Sequence, residues 1–215
     1  MQLEILVEEP SAAAALDVLV PRIADQAAWP REGGPTWSIR RFNGRHALLR
    51  KLPDRLRSYA AQAQAMDVRV LVLIDRDDDD CLELKQQLED LAVTAGLSTR
   101  ATTTSGVFGV CNRIAVEELE AWFIGDPDAV RSAYPRVPAS FGHNAKFRKP
   151  EEVTGGTWES LERLLRKHGY HRAGLGKIKL ATDVARHMDP SRNASPSFTA
   201  FCTGLTGLVA QSPSP

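Results

Sequence analysis

Val68-Arg69-Val70-Leu71-Val72-Leu73-Ile74-Asp75-Arg76-Asp77 decides the reading of this chain. The run from Val68 to Ile74 is short, rich in valine and almost continuously apolar, the pattern of a strand covered on both faces. It ends in two aspartates one residue apart, and Asp78, Asp79 and Asp80 follow where a helix begins. In an open α/β sheet, ligands sit just outside the carboxyl ends of the strands, so Asp75 and Asp77 are expected where chemistry is placed. Two carboxylates held together repel each other and lose solvation, a cost that a hard cation such as Mg²⁺ or Mn²⁺ removes. The competing structural reading is that one aspartate caps the next helix while the others are solvated in its first turn.

Upstream, residues 2–8 alternate as a first strand that stops at Glu8-Glu9-Pro10-Ser11, where Pro10 and Ser11 can start a helix. Alanine-rich 12–20 reads as helical until Pro21, Trp37 to Phe42 as a second strand, and Asn43-Gly44 as a turn. Leu48, Leu52, Leu56, Tyr59 and Ala63 recur at helical spacing, with Pro53 expected to break that segment in two. Leu84, Leu88, Leu91 and Ala95 mark a helix closed by Gly96, and Val107 to Ile114 is a fourth strand candidate. From Glu117 onward the stripes are helical, through Trp158–Leu165 and Ile178–Met188 to a last helix capped within Asn193–Ser197. The pattern predicts an α/β fold, a mostly parallel Rossmann-like sheet flanked by helices with a helical C-terminal half. The expected organisation is an α/β core over 1–126, a helical extension packed on it over 127–210, and a disordered polar tail at 211–215.

The chain has 215 residues, 43% hydrophobic and 25% charged, with no apolar run near the roughly 20 residues that span a bilayer. Met1-Gln2-Leu3-Glu4 enters a strand pattern directly, without a basic region before an apolar segment, so a cytoplasmic location and no membrane are expected. Cys81, Cys111 and Cys202 are odd in number and unpaired in spacing, which argues against a disulfide framework or a structural zinc site. Formal net charge is zero, yet the signs are segregated. Asp75 to Asp128 carries 13 acids against four Lys or Arg, and Arg131 to Lys179 carries 11 Lys or Arg against four Glu. An acidic centre followed by a basic segment suits an enzyme that holds a cation beside a polyanion such as DNA or RNA, and equally suits two solvated surfaces. There is no Gly-x-x-x-x-Gly-Lys-Ser/Thr loop, since Gly174-Leu175-Gly176-Lys177-Ile178 lacks both the spacing and the hydroxyl.

Strands one and three read as members of one parallel sheet, so Glu8 is expected at the same edge as Asp75 and Asp77. A glutamate ending the first strand followed by Asp-x-Asp ending the third resembles the Toprim domains of topoisomerases, primases and old-type nucleases. More of the chain carries a resemblance: Ile5-Leu6-Val7-Glu8-Glu9-Pro10-Ser11, Phe42-Asn43-Gly44, Leu73-Ile74-Asp75-Arg76-Asp77, Arg113 through Asp126, and Asn193-x-Ser195-x-Ser197-Phe198. As a set they look like domain-of-unknown-function family 4276, over nearly the whole chain. That resemblance implies a Toprim-like core in prokaryotic proteins often encoded beside an ATPase, with a suspected nuclease role in defence against phage or foreign DNA. In the wider Toprim pattern the first glutamate is followed by glycine and, four residues on, often by a second acid; here those positions are Glu9 and Ala12.

The expected catalytic and metal-holding residues are Glu8, Asp75 and Asp77, with Glu9, Glu117, Glu120 or Asp126 as sources of a further oxygen ligand. Glu117 and Glu120, three apart, are expected to share a helix face. Arg45, Arg148, Lys149 and Lys177 are the candidate nucleic-acid contacts, although a lysine such as Lys177 also snorkels from many surfaces. Two other readings remain open from the residues: a non-catalytic module of this shape that docks on an ATPase, and a haloacid-dehalogenase-type phosphatase with Asp75 as nucleophile and Asp77 as general acid.

Overall fold

A computed structural model describes residues 1–171 and 176–211. Residues 172–175 and 212–215 lie outside the described residues, and with them nearly all of the tail expected to be disordered. Four strands, β1 (Gln2–Val7), β2 (Thr36–Arg41), β3 (Val68–Asp75) and β4 (Val110–Ala115), form one all-parallel sheet in the order β2-β1-β3-β4. Helices α1 (Pro10–Gln26), α2 (Arg45–Gln62) and α3 (Cys81–Thr94) make the crossovers, and α4 (Glu120–Ile124), α5 (Pro127–Ala133), α6 (Thr157–Lys167), α7 (Lys177–Ala185) and α8 (Pro196–Val209) form the helical half.

The period-2 alternation of the strands sorts two cores. Leu6, Val68, Val70, Val72 and Ile74 face α2 and α3, while Leu3, Ile5, Val7, Leu71 and Leu73 face α1 and the C-terminal helices. The second core is continuous from β1 to Leu208, so residues from both halves of the chain bury one another. Arg69, the one charge within the apolar run, is buried and donates to the carbonyls of Leu208 at 2.5 Å and Gln211 at 2.9 Å, pinning the end of α8 to β3.

Three expectations about element boundaries are corrected. The first helix does not stop at Pro21 and the second is not broken at Pro53; both run through their proline. A proline inside a helix costs about 3 kcal/mol, whereas burying four side chains such as Leu48, Leu52, Leu56 and Tyr59 returns about 6–12 kcal/mol, so packing wins. The fourth strand is Val110–Ala115 and not 107–114, because the Ser98 carbonyl takes the N–H groups of both Gly109 and Val110 at the strand's start. Among the described residues no helix is long and apolar enough to cross a membrane.

Candidate active site

Reversal of strand order between β1 and β3 opens the crevice where an α/β sheet of order 2-1-3-4 binds ligands. Register pairs Val7 with Leu73, so Glu8 and Asp75 leave adjacent strands at the same edge. The Asp75 N–H reaches the Glu8 carboxylate at 3.4 Å. Glu8 is 7% exposed; burial first, then the charges of Asp77 and Glu9, push its carboxyl above the ordinary range against the opposing effects of the Asp75 N–H and Arg45.

Asp75 is pushed well up by burial and then by Glu120, Glu8, Asp77 and Glu9. Glu120 opens α4 and is 1% exposed; burial outweighs the pull of Lys177 and, with Glu118 and Glu9, raises its carboxyl to about 7. Its Oε1 is buried with no hydrogen-bond partner among the described residues. A buried acceptor without a partner costs about 1–3 kcal/mol, so this oxygen is the sharpest sign of a missing donor or cation in the crevice. Lys177, at the start of α7, has its ammonium 3.7 Å from Glu118 and 5.2 Å from the Trp158 ring centroid. Burial works to lower its pKa, but the charges of Glu120, Glu118, Glu9 and Asp75 raise it on balance, so Lys177 stays cationic beside the acids.

Two loops lock the crevice. Asp77 (φ 50°) and Glu117 (φ 65°) are both left-handed non-glycine residues, and the Asp77 N–H donates to the Glu117 carbonyl at 3.0 Å while Arg76 pairs with the Glu117 carboxylate. Strain of this kind persists only where surroundings over-determine it, and it clusters at functional sites. Glu117 therefore precedes α4 and does not share a helix face with Glu120, correcting the expectation from their spacing. Only Glu120 turns into the acid cluster. Arg45 donates to the Asp75 carbonyl at 2.8 Å and pairs with Asp77 and Asp79, so its charge is spent on the loop rather than offered to a polyanion. Asp80 is the helix cap, accepting from Leu82 and Glu83 N–H groups, so the capping reading holds for that aspartate and not for Asp75.

Asp126 does not reach the crevice. Its carboxylate accepts from the N–H groups of Ala129 and Asp189 and from Arg192 Nε at 2.8–3.1 Å, which leaves it saturated inside a structural latch. The same latch joins Glu120-Ala121-Trp122-Phe123-Ile124-Gly125-Asp126 to Asn193-x-Ser195-x-Ser197. Trp122 donates to Ser197 Oγ at 2.9 Å, Asn193 donates to the Trp122 carbonyl at 2.7 Å, and Ala194 N–H donates to the Gly125 carbonyl at 2.8 Å. A Cβ on Gly125 would collide with Asn193 Oδ1 and stand 2.9 Å from the Ser195 backbone nitrogen. Gly125→Ala should therefore lower the melting temperature, and Trp122→Ala, which empties a fully buried indole packed on Phe198 and Phe201, should cost about 3–5 kcal/mol in urea unfolding. A loss under about 1 kcal/mol for Trp122→Ala would show that the latch is not structural.

Arg148 and Lys149 lie on an exposed loop after two 3₁₀ turns, with Lys149 paired to Glu152, and no hydrogen bond or ion pair among the described residues links either to the crevice. Much of the basic segment is likewise engaged: Arg131 with Asp128, Arg166 with Glu162, Lys179 with Asp183, and Arg136 stacked 4.0 Å over Tyr170. Glu118, unassigned from sequence, accepts from Thr157 Oγ1 and Trp158 N–H and so caps α6 beside the crevice.

Among the described residues no group of three or more His, Cys, Asp or Glu side chains is arranged to hold a metal ion as it stands. The donor chemistry nevertheless suits a hard divalent cation, since the candidate ligands are carboxylate oxygens and one of them, Glu120 Oε1, has no hydrogen-bond partner among the described residues. Parallel sheet, switch-point crevice and acid cluster define an α/β protein with an acidic candidate site. The chain belongs to the family described as Domain of unknown function (DUF4276), whose model matches residues 7–206. No curated protein and no solved structure gives a match.

Proposed function

We propose that this chain is a Toprim-type, divalent-metal-dependent phosphodiesterase that hydrolyses DNA or RNA, working in prokaryotic defence beside an ATPase. The observation that carries the reading is the unpartnered Glu120 oxygen buried next to Asp75 at the β1/β3 switch point. Asp75, Glu8 and Glu120 would hold Mg²⁺ or Mn²⁺, with Asp77 and Glu9 at the margin. The chemistry supplied by such an ion is polarisation of the scissile phosphate and a lowered pKa of the attacking water. Glu120 would lend its unpartnered oxygen to that ion, and Lys177, cationic beside the acids, is placed to attract the phosphate. Arg45 holds the Asp75 backbone in place.

One observation favours the second reading, a non-catalytic module docked on an ATPase: the acids do not form a closed metal cage among the described residues. Crystals soaked in Mn²⁺ separate the two. Anomalous density between the Asp75 and Glu120 carboxylates is the expected result, and an empty crevice at saturating Mn²⁺ would favour the docking module.

A further inference from the structure

The cations that the active-site reading needs for a polyanion are not where the charge count along the chain suggests. Ile39, Arg41, Asn43, Lys51 and Arg55 line a groove of about 300 Å³ between the edge strand β2 and α2. Ala47, Lys51 and Arg55 stand four residues apart on α2, one stripe along the helix. Arg41, Lys51 and Arg55 are exposed and, among the described residues, form no ion pair. Of the acids nearby, buried Glu4 pairs with Arg40 at 2.7 Å and accepts from Tyr59, and Asp54 pairs with Arg57, while exposed Asp17 borders a neighbouring pocket that Arg41 shares. Three exposed cations without an ion pair therefore border one groove, whereas Arg131, Lys149, Arg166 and Lys179 of the C-terminal segment are paired.

The groove is carried by Phe42 and Asn43 to the sheet edge from which Glu8 emerges. Its mouth is the β2–α2 turn, where Phe42 N–H donates to the Val7 carbonyl and Gly44 N–H to the Glu8 carbonyl at 3.1 Å. Parallel strands lie about 4.8 Å apart, so the mouth is one strand from Glu8 and two from Asp75. A chain of phosphates held by Arg41, Lys51 and Arg55 would run straight into the acidic site, while the acids themselves would repel it without a cation. We propose that this groove is the nucleic-acid track: it binds the phosphate backbone flanking the scissile bond, and the exposed Arg148–Lys149 loop does not. The proposal rests on the phosphodiesterase reading for its ligand class.

Binding of fluorescein-labelled oligonucleotides, single-stranded and duplex, DNA and RNA, to the full chain in EDTA tests the groove without requiring cleavage. Lys51→Glu/Arg55→Glu should weaken binding at low salt by about tenfold or more and reduce the slope of log K against log salt by about two, near 0.9 for each phosphate no longer neutralised. Lys51→Gln/Arg55→Gln should fall between it and wild type, and Arg148→Glu/Lys149→Glu should leave both quantities unchanged. All four charges are exposed, so each variant should fold, which circular dichroism would check. Unchanged binding in the groove variants, weakened binding in Arg148→Glu/Lys149→Glu instead, or retention on anionic lipid vesicles with no oligonucleotide binding would overturn the proposal. Binding through the groove with no cleavage under any metal would leave the track standing and remove the phosphodiesterase. Cleavage insensitive to the groove charges would do the reverse.

Discussion

Asp75→Asn should leave the chain folded and abolish cleavage. The substitution nearly preserves shape and deletes one full negative charge from the centre of the acid cluster, where burial, Glu120, Glu8 and Asp77 all press against it. On the proposed reading, loss of several kcal/mol of charge stabilisation corresponds to a rate decrease on the order of 10³-fold in a cleavage assay reconstituted with the proposed ATPase partner. Divalent metal should separate the two proteins further. At a hundredfold excess over Kd a ligand that binds only the native state adds about 2.7 kcal/mol, on the order of 5–10 °C in Tm for a domain of this size, to wild type and not to the variant. Without metal the order should reverse, with Asp75→Asn the more stable because like charges are no longer concentrated. Equal cleavage by mutant and wild type would end the enzymatic reading.

In EDTA, stability should fall as pH rises from about 5 to about 8, and Glu120→Gln should flatten that fall. Glu120 is held at about 7 in the native chain against 4.5 for a free glutamate, so the folded state binds its proton more tightly than the unfolded state does. Its contribution is full below about 4.5 and is lost as pH climbs to about 7, a cost of about 3 kcal/mol at pH 8. Asp75 and Glu8, both raised, act in the same direction. Glu4 and Glu89 are lowered, because the hydrogen bonds from Arg40 and Lys85 overcome burial, and their stabilisation disappears only as pH falls below the ordinary carboxylate range. His171, lowered by burial and by Lys179, adds an opposing rise through the histidine range, and subtracting the two Tm profiles cancels it. Mg²⁺ should restore wild-type stability above pH 7. Parallel profiles for wild type and Glu120→Gln would show that the buried carboxylate does not titrate there.

What the sequence by itself determined is the β-α alternation, the apolar strand ending at Asp75, and the meeting of Glu8 with Asp75 at one sheet edge. These follow from local patterns: a strand buried on both faces must read as a continuous apolar run, and a parallel sheet must send every strand's carboxyl end the same way. Pro21 and Pro53 misled because a local rule about helix breaking competes with burial that only the packed sheet supplies. Glu117 and Glu120 looked equivalent at a spacing of three, but a left-handed residue and its hydrogen bond to Asp77 ended that equivalence. Asp126 looked like a ligand because its partners, Asp189 and Arg192, lie more than sixty positions away. Charge along the chain pointed to Arg131–Lys179, yet a charge counts only when no neighbour answers it, and that pairing is decided in three dimensions. Tertiary structure alone therefore decided which acids converge and, among the described residues, which cations form no ion pair and that one buried glutamate oxygen is left without a partner.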